Sequence, residues 1–153
     1  MFKDILYPIG MLSNILKDSE SIKIFAVRFS PGQDLKKELI HYATTHKILA
    51  GSVVTCVGSL KKAQIRMANA QNIQSLDGPF EIVSLVGTLE PGYAHLHIAL
   101  SDHAGQVIGG HLMNGCEVHT TCEVVILEDL TRQWNREPDP QTGYNELKIN
   151  PRS

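Results

Sequence analysis

The run His95-Leu96-His97-Ile98-Ala99-Leu100-Ser101-Asp102, answered after a short break by Val107-Ile108-Gly109-Gly110-His111-Leu112, leaves this chain little choice but a β-hairpin. In an extended strand, residues i and i+2 point to the same face. His95 and His97 therefore project together, while Leu96, Ile98 and Leu100 point the opposite way, into a core. The break sets the register. Asp102-His103-Ala104-Gly105 reads as a type I turn with Asp first and Gly where φ must be positive, the three-residue hairpin loop with a glycine bulge. With His103 to Gly105 as the loop, Asp102 pairs with Gln106, and counting back sets His97 opposite His111. A two- or four-residue loop would move His111 to the other face, and a bulge at Gly109-Gly110 would spoil the count.

Three neutral imidazoles with an open fourth position suit a divalent metal of the catalytic type, zinc before others. His95, His97 and His111 are thus the expected ligands, with water or an exogenous group as the fourth. The plainer alternative is three histidines decorating a polar sheet face or an oligomer seam. Cys116 and Cys122 stand six residues apart, which matches no common ligand spacing.

At 153 residues the chain reads as one domain with room for a real core. Its 14 Lys and Arg are set against 16 Asp and Glu, and its only basic runs are the pairs Lys36-Lys37 and Lys61-Lys62. That distribution supplies no strong electrostatic footprint for nucleic acid. The N-terminal stretch carries Asp4, Asn14 and Lys17, which fits neither a signal peptide nor a membrane span. Three cysteines, Cys56, Cys116 and Cys122, lie in apolar strand-like segments without a CxxC pair. They read as reduced core residues of a cytoplasmic protein.

Residues 1–20 form an N-terminal extension, with a short helix expected near Leu12 to Lys17. The body spans 21–130. It opens with a strand at 21–29, then a helix with Ser30 as N-cap, Pro31 at the first helical position and Gln33 closing a capping box. Leu35, Leu39, Tyr42, Ala43 and His46 make its apolar stripe, Lys36, Lys37 and Glu38 lean outward, and His41 and His46 read as surface or edge residues rather than ligands. Strands follow at 50–60, 63–68 as its hairpin partner, and 80–89 after a polar loop from Asn69 to Asp77. The histidine hairpin and a long strand at 117–130 complete the body, and 131–153 is a C-terminal arm or edge addition anchored by Trp134 and Tyr144. About seven strands and one capped helix predict an α+β domain built on a largely antiparallel sheet. Neither a glycine-rich phosphate loop nor a serine elbow is present.

RFSPGQDL, AGSVVTCVGSL, GPFEIVSLVGTL, HLHIALSD, VIGGHL and GCEVHTTCEVVI occur in the order seen in the plant-and-prokaryote-conserved (PPC) domain. The chain resembles this family from about Ala26 to Asp129, and REPDPQTGYNEL resembles the ending of its stand-alone bacterial members. The resemblance implies a compact domain associating as a homotrimer, and a metal site at His95, His97 and His111. It also implies a DNA-associated or regulatory role and a protein-contacting segment at Gly78 to Val83. The sequence departs from the plant pattern in having no Arg-Gly-Arg hook.

Two functions compete on this reading. One is a trimeric regulatory protein associated with DNA. The other is a zinc-dependent enzyme for hydrolysis or hydration of a small molecule, in which the metal acidifies its bound water. Glu117, His119 and Glu123 share one face of the last long strand and are the candidates for a general base, against an ordinary hydrated face. A purely structural metal is a third possibility.

Overall fold

The computed structural model describes residues 21–69 and 71–152. The expected helix near Leu12 to Lys17 lies outside them. Strands β1 (Ile22–Phe29), β2 (Gly51–Arg66), β3 (Ile73–Glu90), β4 (Tyr93–Ser101), β5 (Val107–Leu112) and β6 (Glu117–Asp129) form one antiparallel sheet in the order β1-β6-β2-β3-β4-β5. A further pairing of β2 with β5, at Ile65↔Leu112 and Arg66↔His111, closes β2, β3, β4 and β5 into a ring. Helix α1 (Leu35–Thr45) packs on the sheet through fully buried Leu35, Leu39 and Ala43. The fold is α+β and mostly antiparallel, as the periodicity predicts.

Strand β4 shows how the pattern drives the packing. Ala94, Leu96, Ile98 and Leu100 are all buried, with His95 and His97 on the alternate positions. They join Leu60, Ile65, Leu85, Leu112, Val118 and Ile126 in the core. Each such aliphatic side chain contributes about 1.5–3 kcal/mol on burial. The cysteines are reduced and buried, with Cys56 and Cys122 Sγ atoms 3.5 Å apart.

Several local expectations are corrected. Residues 50–60 and 63–68 are not two hairpin strands but one bent strand, β2, running through a register shift between Leu60 and Lys62. Lys61-Lys62 lacks the positive-φ residues that a tight hairpin needs, so the chain bulges and continues. The loop after it is shorter than expected, because β3 starts at Ile73. The helix is capped by Asp34, whose side chain accepts from Lys37 N, and not by Ser30. Pro31-Gly32 instead forms a turn in which Ser30 O accepts from Gln33 N, a role for which Pro-Gly is better suited than a helix start. Gln33 Oε1 still reaches back to Ser30 N at 2.6 Å. His46 is exposed, as expected of a surface or edge residue, and forms the helix C-cap at the end of the stripe.

The C-terminal arm is a separate two-stranded hairpin, β7 (Arg132–Pro138) with β8 (Asn145–Pro151). Two arginines tie it to the sheet, beside the Trp134 N–H that donates to Leu49 O. Arg136 Nε meets Glu90 Oε1 at 2.6 Å, and Arg152 Nη1 meets Glu128 Oε1 at 2.9 Å. Both glutamates are buried. Trp134 is half-buried and Tyr144 is exposed.

Candidate metal centre

The loop between β4 and β5 has the expected construction. Asp102 O accepts from Gly105 N at 3.0 Å, Asp102 N donates to Gln106 O at 3.0 Å, and Gly105 has φ +78. Asp102 Oδ1 accepts from both Ala104 N and Gln106 N. Pairing then runs unbroken from Ser101↔Val107 to His97↔His111, straight through Gly109-Gly110. The two glycines serve close approach rather than a bulge: a Cβ on Gly110 would stand 2.7 Å from Arg66 O on β2.

The three imidazoles consequently converge. Ring centroids are 5.3 Å apart for His95–His97, 5.1 Å for His95–His111 and 5.6 Å for His97–His111. One ring nitrogen from each lies within 4.8 Å of the others, close enough to share one ion. His95 and His111 are half-buried and His97 is exposed. His111 Nδ1 is buried and has no hydrogen-bond partner. An orphaned polar atom of this kind costs about 1–3 kcal/mol unless something satisfies it. Three clustered imidazoles, one of them with a nitrogen that no protein group satisfies, fit a borderline-soft divalent cation such as zinc.

Burial first, then neighbouring positive charge, favours the neutral imidazoles of His95 and His111. Burial, then the charges of Lys36 and Arg66, push the His111 imidazole down to about 4. His95 is lowered by burial first, then by His97 and Arg136. A metal needs these lone pairs free, so depressed basicity towards protons favours loading.

The surrounding strands supply a second set of groups that sequence reasoning did not find. Val86 pairs with His97 and Thr88 with His95 across β3. Arg136, from β7, donates to Thr88 Oγ1 at 2.8 Å, holds Glu90, and lies over the Tyr93 ring with Cζ 4.8 Å from its centroid. Arg66 is the direct cross-strand neighbour of His111. Lys36 does not lean outward as expected: it is half-buried, its Nζ donating to Leu112 O at 2.9 Å. A cavity of about 190 Å3 opens between the sheet and the arm, lined by Arg66, Tyr93, His95, His111, Tyr144, Asn145 and Glu146. The signal for these neighbours is ring closure and arm docking, which no local pattern carries.

Glu117, His119 and Glu123 do lie along β6, but they line none of the cavities bordered by the three histidines. Glu117 pairs with Lys61 at 2.6 Å, while His119 and Glu123 are exposed.

Among the described residues, a six-stranded antiparallel sheet closed by β2–β5 pairing, one helix and three converging histidines define a small α+β domain with a histidine cluster that could hold a metal ion. The chain belongs to the Plants and Prokaryotes Conserved (PCC, also PPC) domain family, whose model matches residues 16–129. It is similar to the bifunctional protein GlmU of Synechococcus sp. strain JA-3-3Ab, 43% identical over 129 residues, covering 84% of this chain and 21% of that protein. The chain thus spans about a fifth of the length of that relative. A solved structure from Salmonella enterica is 39% identical with a TM-score of 0.84, over 86% of this chain and 96% of that one. A metal-containing protein from Archaeoglobus fulgidus is 28% identical with a TM-score of 0.69, over 82% of this chain and 93% of that one. Among the described residues, no helix is long and apolar enough to cross a membrane.

Proposed function

We propose that this domain binds one divalent metal ion, zinc by ligand type, through His95, His97 and His111, and presents its open position to a small ligand. The observation that carries this reading is that one ring nitrogen from each of the three histidines lies within 4.8 Å of the others, while His111 Nδ1 has no hydrogen-bond partner. Similarity to a metal-containing protein of the same fold supports it. When bound, such an ion supplies Lewis acidity and an acidified water, which suits hydrolysis or hydration of a small molecule. The protein's part is to hold three imidazoles on paired strands and to line the site with Thr88 and Tyr93, Thr88 being held by Arg136.

A role in direct DNA binding, which the family likeness brings with it, finds less support. Phosphate contacts need clustered Lys and Arg, and this chain carries net charge −2.

The domain also reads as a homotrimer. Ile24, Val54, Val57, Val83, Val86 and Val107 are exposed on the sheet, and apolar surface of this kind favours association with closed symmetry. Val83 ends the segment from Gly78 that the family likeness assigns to protein contacts. Light scattering should return three chains per particle, and a monomer mass at micromolar concentration overturns the assembly.

Elemental analysis of untagged protein tests the metal. One equivalent of zinc or another divalent ion per chain is expected, lost in His97→Ala and kept in His103→Ala. Metal-free protein that takes up none on incubation with zinc overturns the reading.

A further inference from the structure

Beside the histidines lie two cations, Lys36 and Arg66, that no ion pair answers among the described residues. Arg66 Nε is buried and has no hydrogen-bond partner, although the residue borders the same cavity as His95 and His111. Cross-strand pairing with His111 sets Arg66 on the histidine face by backbone register, not by a flexible reach. Lys36 stands nearby, its ammonium tied only to a backbone carbonyl. Among the described residues, neither Lys36 nor Arg66 forms an ion pair, whereas Arg136 is matched by Glu90. Three neutral ligands would also leave a divalent ion's charge uncompensated. Glu146 is the one carboxylate lining the cavity and does not balance this set.

We propose that the ligand of this site is a small carboxylate, held by Arg66 and completing the metal's open position. The inference rests on the metal reading above and adds the chemical class of what binds there. Nε and a neighbouring guanidinium nitrogen present two parallel N–H donors in one plane, the edge that matches the two oxygens of a carboxylate. Arg66 and His111 border both this cavity of about 190 Å3 and a second of about 460 Å3 that His97 also lines, so a small acid has room on either side of Arg66. Tyr93 and Tyr144 line the smaller cavity. An unpaired buried guanidinium nitrogen is costly, and a bound carboxylate removes that cost.

The test uses the full chain loaded with cobalt(II), whose visible absorption reports both metal uptake and changes in its coordination. Oxalate and pyruvate are titrated against the neutral amide oxamide and against inorganic phosphate, in wild type, Arg66→Ala and Arg66→Lys. The expected result is one cobalt per chain in all three proteins. Oxalate and pyruvate should shift the wild-type spectrum, with affinity falling at least tenfold in both variants, and oxamide should leave it unchanged. Arg66→Lys keeps the charge and loses the fork, so it serves where Arg66→Ala fails to fold. Carboxylate affinity unaffected by either variant overturns the proposal, as does phosphate binding as tightly as the carboxylates. If wild type takes up no cobalt, the metal reading fails by itself. Calorimetry with oxalate on the metal-free chain then decides the anion: binding that depends on Arg66 upholds it, and no binding overturns it.

Discussion

His97 and His111 are direct cross-strand partners on β4 and β5, their rings 5.6 Å apart, because the loop between them has three residues. Parity is what this relationship depends on. Inserting one alanine between His103 and Ala104 should move His111 to the opposite face and reduce metal affinity at least a hundredfold. Replacing His103 should leave affinity within about twofold. Zinc competition with a chromophoric chelator measures both, and an insertion variant that retains wild-type affinity would show that the site does not need this register.

Gly87 holds β3 against the histidine strand. It has φ +142, and a Cβ built on it would lie 2.0 Å from His95 O. Gly87→Ala should therefore force β3 and β4 apart, destabilising the protein by about 3 kcal/mol or more and displacing His95. Urea unfolding gives the first quantity and metal affinity the second. Gly92→Ala is the comparison: its φ is also positive at +81, but nothing stands within 4 Å, so its cost should be about 1 kcal/mol.

Removing the Arg136 side chain leaves Glu90 buried without its cation. Breaking a buried pair of this kind costs about 3–5 kcal/mol, so Arg136→Ala should loosen the arm and lower the unfolding midpoint substantially. Arg136→Leu combined with Glu90→Leu should recover much of that loss. Hydrogen exchange on β7 and β8 distinguishes local detachment of the arm from global destabilisation.

Acid should destabilise the metal-free protein in a definite window. His111 titrates near 6.5 when unfolded and at about 4 when folded. Between those values the unfolded state binds more protons, so stability is at full value above about pH 6.5 and falls as the pH drops towards 4. His95 is shifted in the same direction and adds to the slope. Thermal melts of chelator-treated protein should show this decline, and His111→Asn should flatten it. Zinc should raise the melting temperature at neutral pH, because it binds the folded chain preferentially.

Duplex DNA should bind weakly. With 14 basic against 16 acidic residues, retardation in a gel at physiological salt is expected only above micromolar protein. A nanomolar complex at that salt would mean that a basic patch forms on assembly.

The histidine hairpin was legible in the sequence because every determinant is local. Strand alternation set the faces, and Asp102 with Gly105 set the loop length. Helix α1 was legible in its apolar stripe, though its cap moved to Asp34, since Pro31-Gly32 satisfies a turn before it can satisfy a helix. The fold class followed from the same periodicities. Elsewhere, local pattern misled: residues 50–68 carry two strand-like halves, yet a bulge rather than a turn joins them, and β6 and then β5 pair with successive stretches of β2 across it.

What surrounds the histidines belongs to the tertiary structure alone. Arg66 reaches His111 only because β2 closes on β5, a contact 45 residues apart in sequence. Arg136 reaches Thr88, Glu90 and Tyr93 only because the arm folds back as a hairpin of its own. Sequence by itself determined which side chains share a strand face, since that depends on backbone geometry between near neighbours. Which charges stand over that face was decided by ring closure and buried ion pairs, long-range contacts that form only when the whole core assembles.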